Sequence, residues 1–276
     1  MKAQAWLPTS GVNRPRCASH LRDNFPRRAR VAVFGSFVGG VHVLNELLFG
    51  GLADRVTVAG IASDDPTRPF TNAKVRLWKY PHTLEDEWLV RKFASAHDLP
   101  LFTGNVKSPE FCSVLESEWQ PDLCLMATFG QKIPNRIIEL PRLGFFNFHH
   151  SGPTWPSYPG PDPIAAMQRD GRKDLVLTMH RVTDVIDGGE FVARSHRVAI
   201  PEGVNAIEMH RITWPQMGGF ISRAVGQVLN AAEIHSGDDE SLMLHDEPAT
   251  YLVNEYAAGQ DRARPIGGHF MAGLRL

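Results

Sequence analysis

Apolar residues fall into short runs divided by polar stretches. Val31–Gly35 (VAVFG) is a buried-strand pattern ending in glycine, and Arg55–Ser63 (RVTVAGIAS) is a second, β-branched one. Between them Val41–Phe49 carries apolar residues on one side and predicts a helix. Thr83–Asp98 predicts another: Thr83 caps it, Glu85 and Glu87 occupy the first turn, and Trp88, Leu89 and Phe93 form an apolar stripe. Pro121–Thr128 (PDLCLMAT) reads as a central strand and Gly144–His149 (GFFNFH) as its companion. Buried strands alternating with helices predict an α/β domain, a mostly parallel sheet flanked by helices.

The texture changes after His150. Ser151–Pro163 holds five prolines and two glycines and must be a loop. Ile164–Arg169 reads as a short helix, and Leu175–Val182 and Glu190–Ile200 as strands joined by the turn Thr183–Gly189. Val204–Ala232 predicts a long helix, with Pro215 and Gly218–Gly219 as points of kinking or division. A short strand is expected at Thr250–Val253 in a loop-rich tail. This divides the chain into an arm (1–30), a main domain (31–203) and a small C-terminal helix and tail (204–276).

Composition narrows the function classes. With 43% hydrophobic and 21% charged residues in 276, wholesale disorder, a collagen-like chain and a disulfide scaffold are excluded. Lys+Arg is 29 against Asp+Glu 30, a net charge of −1, which argues against a globally basic nucleic-acid binder. Cys17, Cys112 and Cys124 lie far apart with no C-x-x-C, as in a reduced, intracellular protein without a cysteine-built zinc site. No apolar run reaches the ~18–20 residues of a membrane helix. The first 30 residues carry Lys2 and six arginines against Asp23, without the apolar core of a secretory signal. A poorly ordered basic N-terminus is preferred there to a transit peptide or a subunit-binding arm, and the expected compartment is the cytoplasm.

Three features suggest chemistry. Gly35-Ser36-Phe37-Val38-Gly39-Gly40 follows a strand and opens a helix but lacks G-x-G-x-x-G spacing, so a tight turn with close helix–strand packing is favoured over nucleotide binding. Asn147 and His149 are two apart at the end of a strand, so their side chains leave one face. An amide there can donate to a developing oxyanion and an imidazole can shuttle a proton, although an N-x-H pair alone is also what a satisfied structural contact looks like. Asp187 sits in Asp184-Val-Ile-Asp187-Gly-Gly189, a turn that would present the carboxylate, or an ordinary turn acid. His149, His150, His180 and His196 lack helical i, i+4 spacing and H-E-x-x-H is absent, so no metal is expected.

Taken together, Asn147-Phe148-His149, the Tyr158-Pro159-Gly160 loop and His180 through Gly189 resemble the folate-dependent formyltransferases, which move a formyl group from 10-formyltetrahydrofolate to an amine. Ile61–Pro69 (IASDDPTRP), His97–Gly104 (HDLPLFTG) and Pro121–Pro134 (PDLCLMATFGQKIP) extend the likeness from Val31 to about Ile200. The resemblance implies a Rossmann-like formyltransferase fold. It implies Asn147 as donor to the formyl oxygen, His149 as charge stabiliser or proton carrier, and Asp187 as its orienting partner. It implies a folate site at Phe129, Gln131, Lys132, Ile133, Thr183, Asp184 and Val185. The acceptor side falls to Ser151, Trp155, Tyr158, Gly160, Asp162 and His180.

The departures steer the acceptor expectation. Asp162 replaces the histidine common after Tyr-Pro-Gly, and Ser36-Phe37-Val38 replaces a glycine-serine phosphate loop, which disfavours a ribosyl-phosphate acceptor. Residues 201–276 hold five arginines and no lysine against ten acids, from which tRNA is expected not to bind. The expectation is transfer to a small-molecule amine, such as an amino-sugar nucleotide or an amino-acid amine, with the C-terminal helix and tail shaping the acceptor side or a homodimer contact. The alternatives are hydrolysis of formyltetrahydrofolate and a non-catalytic folate- or nucleotide-binding module; His149-His150-Ser151 resembles the deformylases, but only about thirty residues precede Val31.

Overall fold

The computed structural model describes residues 28–65, 67–68 and 81–236. Most of the basic arm, the tail after 236 and the strand expected at Thr250–Val253 lie outside the described residues.

Eight strands form one sheet: β1 (Ala29–Gly35), β2 (Val56–Ala62), β3 (Leu101–Phe102), β4 (Leu123–Ala127), β5 (Phe145–Ser151), β6 (Asp174–Arg181), β7 (Phe191–Arg194) and β8 (Val198–Ala199), in the order β3-β2-β1-β4-β5-β6-β7, with β8 on β6. β3 to β5 in that order pair parallel, whereas β6, β7 and β8 add antiparallel. The order reverses at β1, which pairs with both β2 and β4, and ligands of open α/β sheets bind outside the carboxyl ends at such a point.

Helices cover both faces. α1 (Phe37–Phe49), α2 (Leu84–Ala96), α5 (Pro163–Arg169), α6 (Ala206–Thr213) and α7 (Gly218–Ser236) contribute to the larger apolar core, with Val31, Leu44, Phe93, Phe148 and Trp214 among its buried residues. Phe111 of α3 (Pro109–Ser113), Leu115 and Trp119 of its π-helical continuation Val114–Trp119, and Ile137 of α4 (Asn135–Ile138) fill the opposite face around Phe34 and Phe145.

Local chemistry explains where elements begin and break. α2 opens with a full capping box, Thr83 accepting from the Asp86 N–H while the Asp86 carboxylate accepts from the Thr83 N–H. α1 starts at Phe37, four residues before the sequence pattern indicates, because Gly39 and Gly40 belong to the helix. A Cβ at Gly40 would lie 2.8 Å from the Val90 side chain and 2.9 Å from the Gly35 carbonyl carbon, so close packing requires the glycine. The strand expected over Glu190–Ile200 divides at Ser195, whose N–H still donates to the Leu177 carbonyl while its hydroxyl accepts from the Leu177 N–H and donates to the His196 carbonyl. The long helix expected over Val204–Ala232 divides at Pro215 into α6, a 3₁₀ turn at Trp214–Gln216 and α7, since proline has no N–H to continue it.

Apolar residues on both sides of position 204 share one core. Ile207, Met209, Trp214, Ile221 and Leu229 pack with residues of β1, β5 and α1. Trp214 is fully buried, and a Cβ at Gly39 would meet its ring at 2.8 Å.

Candidate active site

β5 ends with two faces of opposite character. Asn147, His149 and Ser151 share the side of Phe145, whereas Phe148 and His150 face the larger core. Antiparallel pairing sets His180 of β6 directly opposite Asn147. The β6–β7 register shifts between Met179 and His180, an irregularity of the kind that re-aims a side chain beside a site.

Asp187 joins these groups. Its Oδ1 accepts from Asn147 Nδ2 at 3.1 Å and lies 3.4 Å from His180 Nε2. Its Oδ2 accepts from the Gly160 N–H at 2.8 Å and lies 3.6 Å from His149 Nδ1. Its φ of +48° is left-handed backbone that aspartate tolerates better than most side chains.

The hydrogen bonds assign protons. His149 Nε2 donates to the Tyr158 carbonyl at 2.9 Å, leaving Nδ1 as the basic nitrogen facing Asp187. His180 Nδ1 donates to the Arg181 carbonyl at 2.9 Å, so its Nε2 accepts from Asn147 Nδ2 at 3.2 Å. The Asn147 nitrogen, Asp187 Oδ1 and His180 Nε2 form a nearly equilateral triangle of 3.1, 3.2 and 3.4 Å. Its two acceptors therefore subtend roughly 60° at the nitrogen, about half the angle between two amide hydrogens. Neither contact is linear, and the one nitrogen serves both acceptors at once.

Burial lowers the His149 pKa below the ordinary imidazole value, and His180 adds to this, while Asp187 and the Tyr158 carbonyl pull the other way. Burial would raise the Asp187 carboxyl, but His149, His180 and the Gly160 N–H outweigh it and bring it down to about 2. At neutral pH the pair is therefore a neutral base beside a carboxylate.

The cleft above them has a volume of about 950 Å³, including the part open to solvent. Phe129, Ile133, Val182, Val185 and Ile186 make much of its wall apolar, and Lys132 supplies a cation. The loop after β4 that carries Phe129 to Ile133 is fastened from below. The Asp64 carboxylate accepts from the Ser36 hydroxyl at 2.8 Å and from the Gly130 N–H at 2.7 Å. The Gln131 side chain bonds the Gly104 carbonyl and the Val106 N–H, so its amide serves the loop itself.

The expected folate-side residues Phe129, Gln131, Lys132, Ile133, Thr183 and Val185 all line this cleft, as do Gly160 and His180 from the expected acceptor side. Asp184 is exposed on the turn and does not line it. Four residues expected on the acceptor side do not line the cleft. Ser151 is fully buried and bonds Thr178 through their hydroxyls at 2.6 Å. Asp162 caps α5 by accepting from the Ala165 N–H. Trp155 stacks on His180, and Tyr158 acts through its carbonyl on His149. Against that, His150 and His210 line the cleft without having been expected there. Their rings stack at 4.9 Å and 9°, a contact between β5 and α6 that no local spacing encodes.

Among the described residues no group of three or more His, Cys, Asp or Glu is placed to hold a metal ion, and no helix is long and apolar enough to cross a membrane.

Residues 30–213 match the family described as formyl transferase. The chain is similar to methionyl-tRNA formyltransferase of Syntrophomonas wolfei subsp. wolfei, 31% identical over 146 residues, 52% of this chain and 45% of that protein. A methionyl-tRNA formyltransferase of Chloroflexus aggregans is 29% identical over 167 residues, 60% of this chain and 48% of that one. The chain thus spans about half the length of these curated relatives. Two solved structures share its fold. Glycinamide ribonucleotide transformylase 1 of Geobacillus kaustophilus has a TM-score of 0.54 at 21% identity, over 72% of this chain and 97% of that chain. A formyltetrahydrofolate deformylase of Pseudomonas syringae pv. tomato has 0.55 at 19%, over 74% and 62%. The expectation that tRNA is not a partner is corrected here: the curated relatives are methionyl-tRNA formyltransferases, and the acid excess of residues 201–276 cannot outweigh that.

Proposed function

The chain belongs to the formyl transferase family, and from that premise we propose that it moves the formyl group of 10-formyltetrahydrofolate to a primary amine. The observation that carries this reading is the convergence of Asn147, His149 and Asp187 at one cleft, with Nδ1 of His149 left to take a proton.

The chemistry divides among them. The amine attacks the formyl carbon and its oxygen gains negative charge. The Asn147 amide turns a hydrogen to that oxygen and stabilises it, a type of contact worth about 10²–10³ in rate. His149 Nδ1 takes the proton the amine must lose, and the resulting imidazolium sits 3.6 Å from the Asp187 carboxylate. The same proton passes to the departing N10 as its bond to the formyl carbon breaks, giving a formamide and tetrahydrofolate. The residues present suit the folate: the apolar wall accepts a flat ring, main-chain groups of 131–133 and 183–187 offer it hydrogen bonds, and Lys132 suits its carboxylates.

The deciding experiment follows tetrahydrofolate release from 10-formyltetrahydrofolate with and without a panel of amines: an amino-sugar nucleotide, free amino acids, glycinamide ribonucleotide and methionyl-tRNA. Amine-dependent release with formamide formation is the expected result and identifies the acceptor. Release without amine assigns hydrolysis instead, and binding without release leaves a folate-binding module.

A further inference from the structure

We infer that Trp155 is a positioning residue of this site, holding His180 in the orientation that receives the Asn147 amide and clipping the turn that carries Asp187. The inference rests on the formyl-transfer reading for its kinetic consequence, but its geometric content stands apart from it.

Trp155 does not line the cleft. Its half-buried indole stacks on His180, ring centroids 4.5 Å apart and planes 29° from parallel. His180 is nearly fully buried, and its two nitrogens have different tasks: Nδ1 donates to the Arg181 carbonyl and Nε2 accepts from Asn147. Rotation of an imidazole about its outer torsion has broad, roughly two-fold minima. Turned over, the ring would present carbon where Asn147 now finds a nitrogen. The Asn147 amide would lose one of its two acceptors. The Arg181 carbonyl disfavours the turned ring, and a flat aromatic face restricts the tilt that would pull both nitrogens off their partners.

The edge of the same indole makes the second contact. Nε1–H donates to the Gly189 carbonyl at 3.0 Å, where the turn after Asp187 rejoins the sheet. That junction is tight: a Cβ at Gly189 would lie 1.8 Å from the Arg181 carbonyl oxygen. The turn's tip is the reverse, with Val185 61% and Ile186 46% exposed, so its placement depends on its base. The loop from Gly152 to Gly160 thus grips the site three times, through Trp155 on His180 and Gly189, the Tyr158 carbonyl on His149, and the Gly160 N–H on Asp187. Of these grips Trp155 alone acts through its side chain, and so it is the one a substitution can remove.

The test combines three variants with two readouts. W155A removes the face and the donor, W155L fills volume without a flat face, and W155F keeps the face without the donor. Imidazole nitrogen NMR of the free protein reads the His180 tautomer, and steady-state tetrahydrofolate release reads kcat and KM. Expected for W155L, and for W155A if it folds, is loss of the fixed His180 tautomer with kcat down ~10–100-fold and KM for 10-formyltetrahydrofolate held, as a misplacement near 1 Å produces. W155F is expected to restore the tautomer and most of kcat. A wild-type His180 tautomer and kcat in W155L overturns the inference, and a raised acceptor KM at unchanged kcat does so by making Trp155 an acceptor contact. A wild-type protein inactive on 10-formyltetrahydrofolate defeats the functional reading, while the tautomer result still decides this one.

Discussion

His149 and His150 are adjacent on one strand, 8% and 4% exposed, and differ in almost everything that governs their chemistry. His149 has a carbonyl on one nitrogen and a carboxylate facing the other, so the charged form it must pass through has a partner. His150 lies between the His210 ring and the edge of Trp214, its Nε2 has no hydrogen-bond partner among the described residues, and every cause acting on it favours neutrality. Burial to the same degree thus leaves one ring of β5 with a carboxylate partner for its charged form and the other with none. What separates them is the partner, not the residue type or its exposure.

The largest effect that tests this contrast is in turnover. His149→Ala is expected to lower kcat by about 10²–10⁴ with little change in thermal stability. His150→Phe keeps a ring against His210 and removes an unpaired buried nitrogen, so kcat should stay within a few-fold and stability should hold or rise. Equal losses in the two variants, by tetrahydrofolate release, would dissolve the distinction. Asn147→Ala comes next, about 10²–10³ in kcat, and its combination with His149→Ala should cost less than the product of the two, since both act on one adduct.

The third effect is on stability. Burial brings His210 down to about 4, and His150 also lies well below 6.5, so between pH 6.5 and about 4 the unfolded chain binds protons that the folded chain refuses. Stability therefore falls as pH drops through that window, by on the order of 3 kcal/mol for His210. Thermal unfolding against pH should show this loss, and the double variant His150→Phe, His210→Phe should flatten it. The smallest effect concerns Asp187, which raises His149 against burial. The acid limb of kcat/KM should lie below pH 6.5, and Asp187→Asn should move it further down.

Much of this site was legible because it obeys strand and turn rules. The spacing of Asn147 and His149 puts them on one face, and the paired glycines mark the turn that presents Asp187. The unread part consists of contacts with no side-chain signature. The Tyr158 carbonyl and the Gly160 N–H are backbone groups, so no residue type advertises their roles on His149 and Asp187. Trp155 is near the chemistry, as loop length indicates, but whether it faces the ligand or backs a ring depends on the loop's path. Asp64 lies in the stretch Ile61–Pro69 that carries the family likeness, yet its bonds to Ser36 and Gly130 join segments 28 and 66 residues away. In the fold, α3 and its π-helical extension escaped notice because Pro109–Trp119 has few turns in which to show a period.

The hydrogen bonds tying Asn147 and His149 to Tyr158, His180 and Asp187, and Gly160 to Asp187, span sequence separations of 9, 33, 40 and 27 residues. Closing loops of that size is entropically cheap, and each further doubling of length adds only about 0.6 kcal/mol. The network is drawn from one contiguous stretch, residues 147–187. The parallel half of the sheet pairs β1 with β4, whose partners Val31 and Leu123 are far more distant along the chain, and long-range parallel pairing is slow to form. A fragment holding β5, β6, the loop between them and the turn to Asp187 thus carries every side chain of the network, while the sheet beneath it is closed by residues from outside that stretch.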